Sequence, residues 1–492
     1  MIDSENSFDV CVIGAGFGGA SVAALLAHAG KKVALVEKTA RAGGKTQTTE
    51  RKGYRFEMFG AVGIPAHNSR FHELVDVLGI AERTPFIIPE GNVACVRYKN
   101  PKGEWKSMYS PLLQTGSEQE MDNIKQTYDV TDADLEALGN MYGAILTLAD
   151  DEIEALDNTG MLQWMSQFGL ATPLRSQICM NLNTLFVVAV DRLPASEGIP
   201  VLRDQVLGGA GRYHIGGYGR VAEVCADYVV EKGGKYLTKT RVNKIIVENG
   251  RAVGVETSSG TLRAKAIISN AGIQPTVLKL AGEEHFPAPY IETIKSLEPS
   301  WAIAGFRYVL DKRIFDSALI PVFSDQSWLD SERYEAMLRN EWPDVPLIAI
   351  DVPSEFDPGL SDIPGHQLAN CQVFMPADPD SRLVDEVLAR CEAVIDELWP
   401  DLKNHIVRKE PYGAKQVSSL SRDSVLPGCG GEAVGIAQVI GQCGKTKPDP
   451  RTPLNGLYIV GCDAGGHGAG THQAVDSGFN VAAIVGRDIE AI

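Results

Sequence analysis

Residues 8 to 37 constrain the fold of this chain more than any other segment. Phe8 to Ile13 (FDVCVI) reads as a buried parallel strand, followed at once by Gly14-Ala15-Gly16-Phe17-Gly18-Gly19 and an alanine-rich helical stretch from Ala20 to Ala29. In a strand, glycine turn and helix of this kind, Gly14 permits the tight turn and Gly16 lets backbone approach a pyrophosphate. Gly19 lets the helix pack close on the strand, and the helix N-terminal amides face the phosphates. Lys32 to Val36 supplies a second apolar strand, and Glu37 stands at its end, 23 residues after Gly14, where its carboxylate can accept hydrogen bonds from an adenosine ribose. A plain βαβ unit with a solvent-facing glutamate would explain Glu37 alone, but not the whole pattern. The expected cofactor contacts here are Gly14, Ala15, Gly16, Phe17, Gly18, Gly19, Glu37 and the adjacent Lys38.

With 492 residues the chain is too long for one ordinary core, and two interlocked domains are expected. Hydrophobic residues at 44% and charged residues at 22% describe a globular protein and exclude a disordered one. Lys and Arg number 46 against 63 Asp and Glu, and a net charge of −17 argues against nucleic acid as a partner. Nine cysteines without CxxC or metal-like spacing argue against a disulfide framework or a metal site and favour a reduced, cytoplasmic setting. The first strand begins too early for a cleavable signal peptide, and no run of 18 apolar residues offers a membrane span. Peripheral contact with a membrane stays open.

After the second strand comes Arg41-Ala42-Gly43-Gly44-Lys45, then Thr46 to Thr48 and a hairpin ending in Gly53-Tyr54-Arg55-Phe56-Glu57. This glycine pair resembles the RxGGR segment of the FAD-binding amine oxidase superfamily, in its phytoene desaturase and carotenoid isomerase branch. The resemblance implies FAD rather than NAD, with Arg41, Gly43, Gly44 and Lys45 beside its diphosphate. Lys45 replaces the family's last arginine, which keeps the charge and loses the planar fork. Arg41 reads equally well as a solvated side chain.

Two further segments carry the same resemblance. Gly216-Gly217-Tyr218-Gly219 leads into an amphipathic helix from Val221 to Val230, then a strand and hairpin from Arg241 to Glu256, and a last strand running into Ser269-Asn270-Ala271-Gly272. The resemblance implies that Val242 lies against the adenine and that Asn270 belongs to the cofactor contact. Near the C-terminus, Leu457 to Gly461 is a buried strand, followed by Cys462-Asp463, a glycine-rich loop and a helix from about Gln473. The family places an acidic residue where Asp463 stands, for the ribityl and phosphate region, and a helix start at Ala474 whose amides face the flavin. Gly461 belongs with them, and Gln473 replaces the family's first glycine.

The implied fold is α/β: a Rossmann-type FAD-binding domain from residues 1–85, 206–275 and 426–492, interrupted by a mixed α+β substrate-binding domain from 86–205 and 276–425. In the latter, 86–205 is expected to be mainly helical, with helices at Thr131 to Leu148 and Met161 to Phe168. Strands are expected at Trp301 to Leu310, Pro346 to Val352 and Gln367 to Met375, with a helix at Ser381 to Leu398.

His467 and His472, in the glycine-rich loop, are the candidate catalytic residues. Either can carry a proton or tune the flavin, or simply bond to loop backbone. Cys462 reads as a packing cysteine. The expected function is FAD-dependent dehydrogenation (desaturation) of a largely apolar small molecule, with oxygen, a quinone or another acceptor taking the electrons. Three alternatives remain: amine oxidation, isomerisation or double-bond reduction by reduced FAD, and a binding protein on the same fold, which the intact glycine and carboxylate set disfavours.

Overall fold

The computed structural model describes residues 7–59, 65–111 and 116–490. Strand Ser7–Ile13 lies at the centre of a seven-stranded sheet, parallel to Val33–Val36 on one side and to Gly260–Ser269 on the other. Lys235–Leu237 extends the sheet beyond Val33–Val36, again in parallel. On the opposite edge Val242–Glu248, Arg251–Thr257 and Gly260–Ser269 form the antiparallel meander that their turn residues predict. Gly260–Ser269 shares one edge between two partners: its first half pairs with Arg251–Thr257 and its end, Ile267 to Ser269, with Leu457–Ile459 in parallel. Four parallel strands therefore finish together, delivering Gly14, Glu37, Asn270 and the Val460-Gly461 step to one edge of the sheet, the place where open parallel sheets bind ligands.

Helix Phe17–His28 is buried on nearly every side, so its apolar residues form no single stripe. It packs against helices Arg220–Glu231 and Gly470–Glu490 on one face of the sheet. Close approach there needs small residues: a Cβ on Gly478 would lie 2.8 Å from that of Ser21.

The second sheet also has seven strands, in the order Ile406–Tyr412, Ala302–Leu310, Gln367–Met375, Ile348–Asp351, Leu319–Ser324, Ala94–Lys99 and Trp105–Ser110. All pairings are antiparallel except Leu319–Ser324 with Ala94–Lys99. The three expected strands are present, and Gln367–Met375 is buried along its whole length. Stretch 86–205 is mostly helical, yet it also contributes the hairpin Ala94–Lys99/Trp105–Ser110, whose mixed composition hides its alternation. Helix Asp132–Thr147 starts as its capping chemistry predicts, with Thr131 and Asp134 bonded reciprocally. Helix Val384–Leu398 covers one face of this sheet, and helices including Thr172–Phe186 cover the other. No helix among the described residues is long and apolar enough to cross a membrane.

Candidate functional site

The glycine turn is held from three sides. Gly14 takes a φ of 88°, and its amide donates to Val36 O at 2.7 Å, so the chain reverses immediately at the strand end. Gly19 lies under the turn, where an added Cβ would sit 1.9 Å from Gly14 O. At Gly18 a Cβ would come 2.8 Å from Gly461 Cα, which brings the N-terminal and C-terminal segments into direct contact. Gly43 donates its amide to Ala15 O at 2.8 Å, laying the second glycine pair along the first turn, and a Cβ on Gly44 would be 3.1 Å from Gly16 Cα.

Asn270 joins these pieces. Its backbone amide donates to Ile13 O at 2.8 Å, and its side-chain amide fills the space beside Gly16, where a Cβ would be 2.7 Å away. With the amide oriented to satisfy both ends, it donates to Val460 O at 3.1 Å and accepts from Gly16 N at 3.3 Å. Asn270 thus stitches the glycine turn to the C-terminal strand. Glu37 is 6% exposed and accepts from Ala15 N at 2.8 Å and Thr39 N at 2.7 Å, so its carboxylate faces the turn instead of solvent.

These residues fit a dinucleotide. Helix Phe17–His28 begins at Gly16 with no side chain capping it, and the helix dipole and glycine cradle favour an anion there. Lys45 brings a cation to the same loop. Its ammonium donates to Glu432 O at 2.6 Å, and burial pulls its pKa below the usual lysine value. Arg41 reaches back to Thr48 O at 3.2 Å and to Glu223 at 3.5 Å, at the edge of the site. Lys38 pairs with Asp423 at 3.3 Å, a carboxylate that Arg241 and Lys279 also bind. Val242 is buried at the start of its strand, two residues after Thr240, whose amide donates to Glu37 O at 2.9 Å.

Asp463 is buried and saturated with donors: Ile273 N at 2.7 Å, Ile436 N at 3.0 Å and Arg422 at 2.8 Å. Burial opposes its ionisation, but Arg422 and the two amides outweigh it and hold the pKa below the ordinary carboxylate value. Arg422 also pairs with buried Glu432. Arg422, Glu432 and Asp463 form one buried ionic group, and half-buried Lys45, bonded to Glu432 O, ties the glycine pair to it. Arg422 and Glu432 lie in loops with no motif, so sequence reading has no signal for them. Glu57 is a further unheralded member: fully buried, it accepts from Tyr218 N at 3.0 Å and joins the hairpin to the Gly216 pair.

The C-terminal helix begins at Gly470, three residues before the expected start. Thr471 meets the Tyr218 hydroxyl, and Ser477 and Asn480 hold the preceding loop through Ala464 O and Gly465 O. These contacts support the additional turn and place Gln473 and Ala474 inside the helix, both buried. His472 packs against the Phe71 ring at 6.4 Å, and burial pushes its imidazole down to about 4. His467 is exposed, with its backbone amide bonded to Asp476 at 3.0 Å. The two candidate histidines therefore occupy different settings, His472 half-buried against Phe71 and His467 on the surface. Cys462 points its thiol at Gly470 O and is pushed up to about 11 by burial, as a packing cysteine would be. The apolar stretches Leu182 to Val190 and Gly435 to Ile440 are largely buried, most of the first and Ala437 and Val439 of the second in the helical and second-sheet clusters and Ile436 against the cofactor sheet.

Residues 17–486 match the family described as Flavin containing amine oxidoreductase. Chloroplastic prolycopene isomerase 2 of an Oncidium hybrid cultivar is 25% identical over 528 residues, covering 99% of this chain and 85% of that protein. A phytoene desaturase of Fusarium fujikuroi is 24% identical over 380 residues, covering 73% of this chain and 65% of the other. The crystal structure of an oxidoreductase from Methanosarcina mazei shares the fold, with a TM-score of 0.71 at 18% identity over 96% of this chain and 100% of that one.

Proposed function

The chain belongs to the flavin-containing amine oxidoreductase family and is an FAD-dependent oxidoreductase, and on that footing we propose that it desaturates a largely apolar organic substrate. The observation that carries this reading is the meeting of Gly14 to Gly19, Glu37, Gly43-Gly44 and Gly461 at one sheet edge, in a chain whose second sheet packs on largely apolar clusters. The α/β cofactor domain is assigned residues 1–85, 206–275 and 426–492, and the substrate domain 86–205 and 276–425.

In this reading the amides at the start of helix Phe17–His28 and the Lys45 ammonium hold the FAD diphosphate. Glu37 holds the adenosine ribose, and Val242 packs near the adenine. Asp463, fixed by Arg422, orders the loop that faces the ribityl chain. FAD supplies the capacity to accept two electrons as a hydride. Desaturation also releases one proton from the neighbouring carbon. His472, kept neutral at pH 7 by burial, or the exposed His467 would accept that proton on a ring nitrogen. The electrons then pass to oxygen, a quinone or another acceptor.

Anaerobic titration of the yellow holoenzyme with polyenes, cyclic enones and amines tests this. Bleaching by an alkene or polyene supports desaturation, and bleaching by amines alone would replace it with amine oxidation. Isomerisation is the second reading, favoured by likeness to a prolycopene isomerase. It predicts turnover only after prior reduction of the flavin and no net electron transfer.

A further inference from the structure

Between helix Ser331–Leu338 and the second sheet lies a pocket of roughly 330 Å³, within the range of about 300–1,000 Å³ usual for small-ligand sites. Its walls include Leu329, Met337, Trp342, Leu347 and Phe374, with Arg333 set among them. The Arg333 guanidinium stacks 3.8 Å from the Trp328 ring centre and donates to Trp328 O at 3.2 Å. Among the described residues no carboxylate oxygen lies within 4.0 Å of it. Asp330 and Glu332 attract it only from beyond that distance: Asp330 accepts from the Arg333 backbone amide at 2.9 Å as a helix cap, and Glu341, on the pocket wall, is taken by Arg339 at 3.0 Å.

A second guanidinium, Arg175 on helix Thr172–Phe186, acts on Arg333 as a like charge, and its buried Nε has no hydrogen-bond partner. Two neighbouring cations, one lining the pocket with no carboxylate in ion-pair contact, leave guanidinium donors that an anion can complete. The inner wall of the pocket is packed core. Leu329, Leu347 and Phe374 share a buried cluster with Trp301, which stacks on Tyr334 at 4.5 Å. Trp301 O accepts from Ala433 N at 2.9 Å, and the carbonyl of the preceding Glu432 accepts from Lys45.

We propose that this pocket binds the carboxylate-bearing end of an amphipathic substrate, with Arg333 on the carboxylate, Arg175 adding positive charge, and the apolar body against Leu329, Leu347 and Phe374. A guanidinium suits this role because its planar fork matches a carboxylate. The proposal rests on the reading of the chain as an enzyme of apolar substrates, and it narrows that class to monocarboxylic acids with an apolar body.

The test is binding without turnover, on the oxidised holoenzyme, so that its result does not depend on flavin chemistry. Decanoate and decanol are titrated by calorimetry and by fluorescence of Trp328 and Trp342. Saturable decanoate binding at least tenfold tighter than decanol is expected. Arg333→Met should abolish that preference while the flavin spectrum stays unchanged, Arg333→Lys should keep part of it, and Arg175→Met should weaken decanoate alone. Equal binding of acid and alcohol, no binding of either, or an unchanged preference in Arg333→Met overturns the proposal. The wild-type comparison decides the matter even if a variant fails to fold. If decanoate binds as expected and no substrate bleaches the flavin, the desaturase reading fails and the anion site stands.

Discussion

Asp463 and Arg422 form a bidentate ion pair in the interior, with Oδ2 at 2.8 Å from Nη2 and Oδ1 at 3.1 Å from Nη1, and with residue exposures of 3% and 7%. The pair crosses the join between the C-terminal segment and the loop after helix Ala414–Leu420. Glu432 shares the guanidinium. Removing the arginine leaves two buried carboxylates with backbone amides but no countercharge in contact, a loss of up to about 3–5 kcal/mol for a broken buried pair. Arg422→Met should lower the melting temperature by several degrees and reduce FAD content, while Asp463→Asn, which removes a charge but keeps an acceptor, should do less. Calorimetry together with the 450 nm flavin absorbance checks both.

The glycine turn makes a sharper prediction. A methyl group at Gly19 would meet the Gly14 carbonyl oxygen at 1.9 Å and the Asn270 Cβ at 3.1 Å, so Gly19→Ala should fold poorly or shift the first helix. Gly16→Val would press on the Asn270 amide, and Glu37→Ala would free Ala15 N and remove the proposed ribose acceptor. Both should purify with markedly less FAD than the parent. Full flavin occupancy in either variant would show that the adenosine and diphosphate sites lie elsewhere.

Lys45 carries its charge in a buried place, bonded to Glu432 O. Lys45→Met should weaken FAD at least tenfold, read by flavin release on dilution. Lys45→Arg restores the cation and should recover part of that affinity.

Three histidines give the fold an acid limit. His72, His214 and His472 are all pushed down to about 4, chiefly by burial. His72 stacks on His214 at 5.5 Å, and Arg212 opposes a charge on both. In the unfolded chain they return to about 6.5, so between roughly pH 6.5 and 4 the unfolded state binds more protons. Stability present above that window is lost as pH falls through it, by up to about 2 kcal/mol at pH 5 for each fully buried ring. Chemical denaturation at pH 7 and pH 5 should show the loss, and His214→Phe should flatten the slope.

Much of the cofactor half is legible in the sequence because its determinants are local. A glycine turn, an alanine-rich helix and a meander with Asn249-Gly250 at its bend are each set by neighbouring residues. The Thr131 cap and the strand Gln367–Met375 are legible for the same reason. The hairpin Ala94–Lys99/Trp105–Ser110 is not, since its charged residues find partners far away: Arg97 pairs with Asp316 and Lys99 with Glu397. Nor is the early start of the last helix, which depends on Tyr218 more than two hundred residues upstream.

The sequence by itself determined the βαβ unit, the α/β class and the family, because spacing and glycine placement act over a few residues. Tertiary structure alone decided which charges meet. It turned Asn270 into a link between Gly16 and Val460, sent His472 inward and left His467 outside, and set Arg422 between Glu432 and Asp463. It also left Arg333 in a largely apolar pocket with no carboxylate of the described residues within ion-pair reach. Burial and pairing of charge depend on segments brought together only when the sheets form, and short-range sequence patterns carry no record of them.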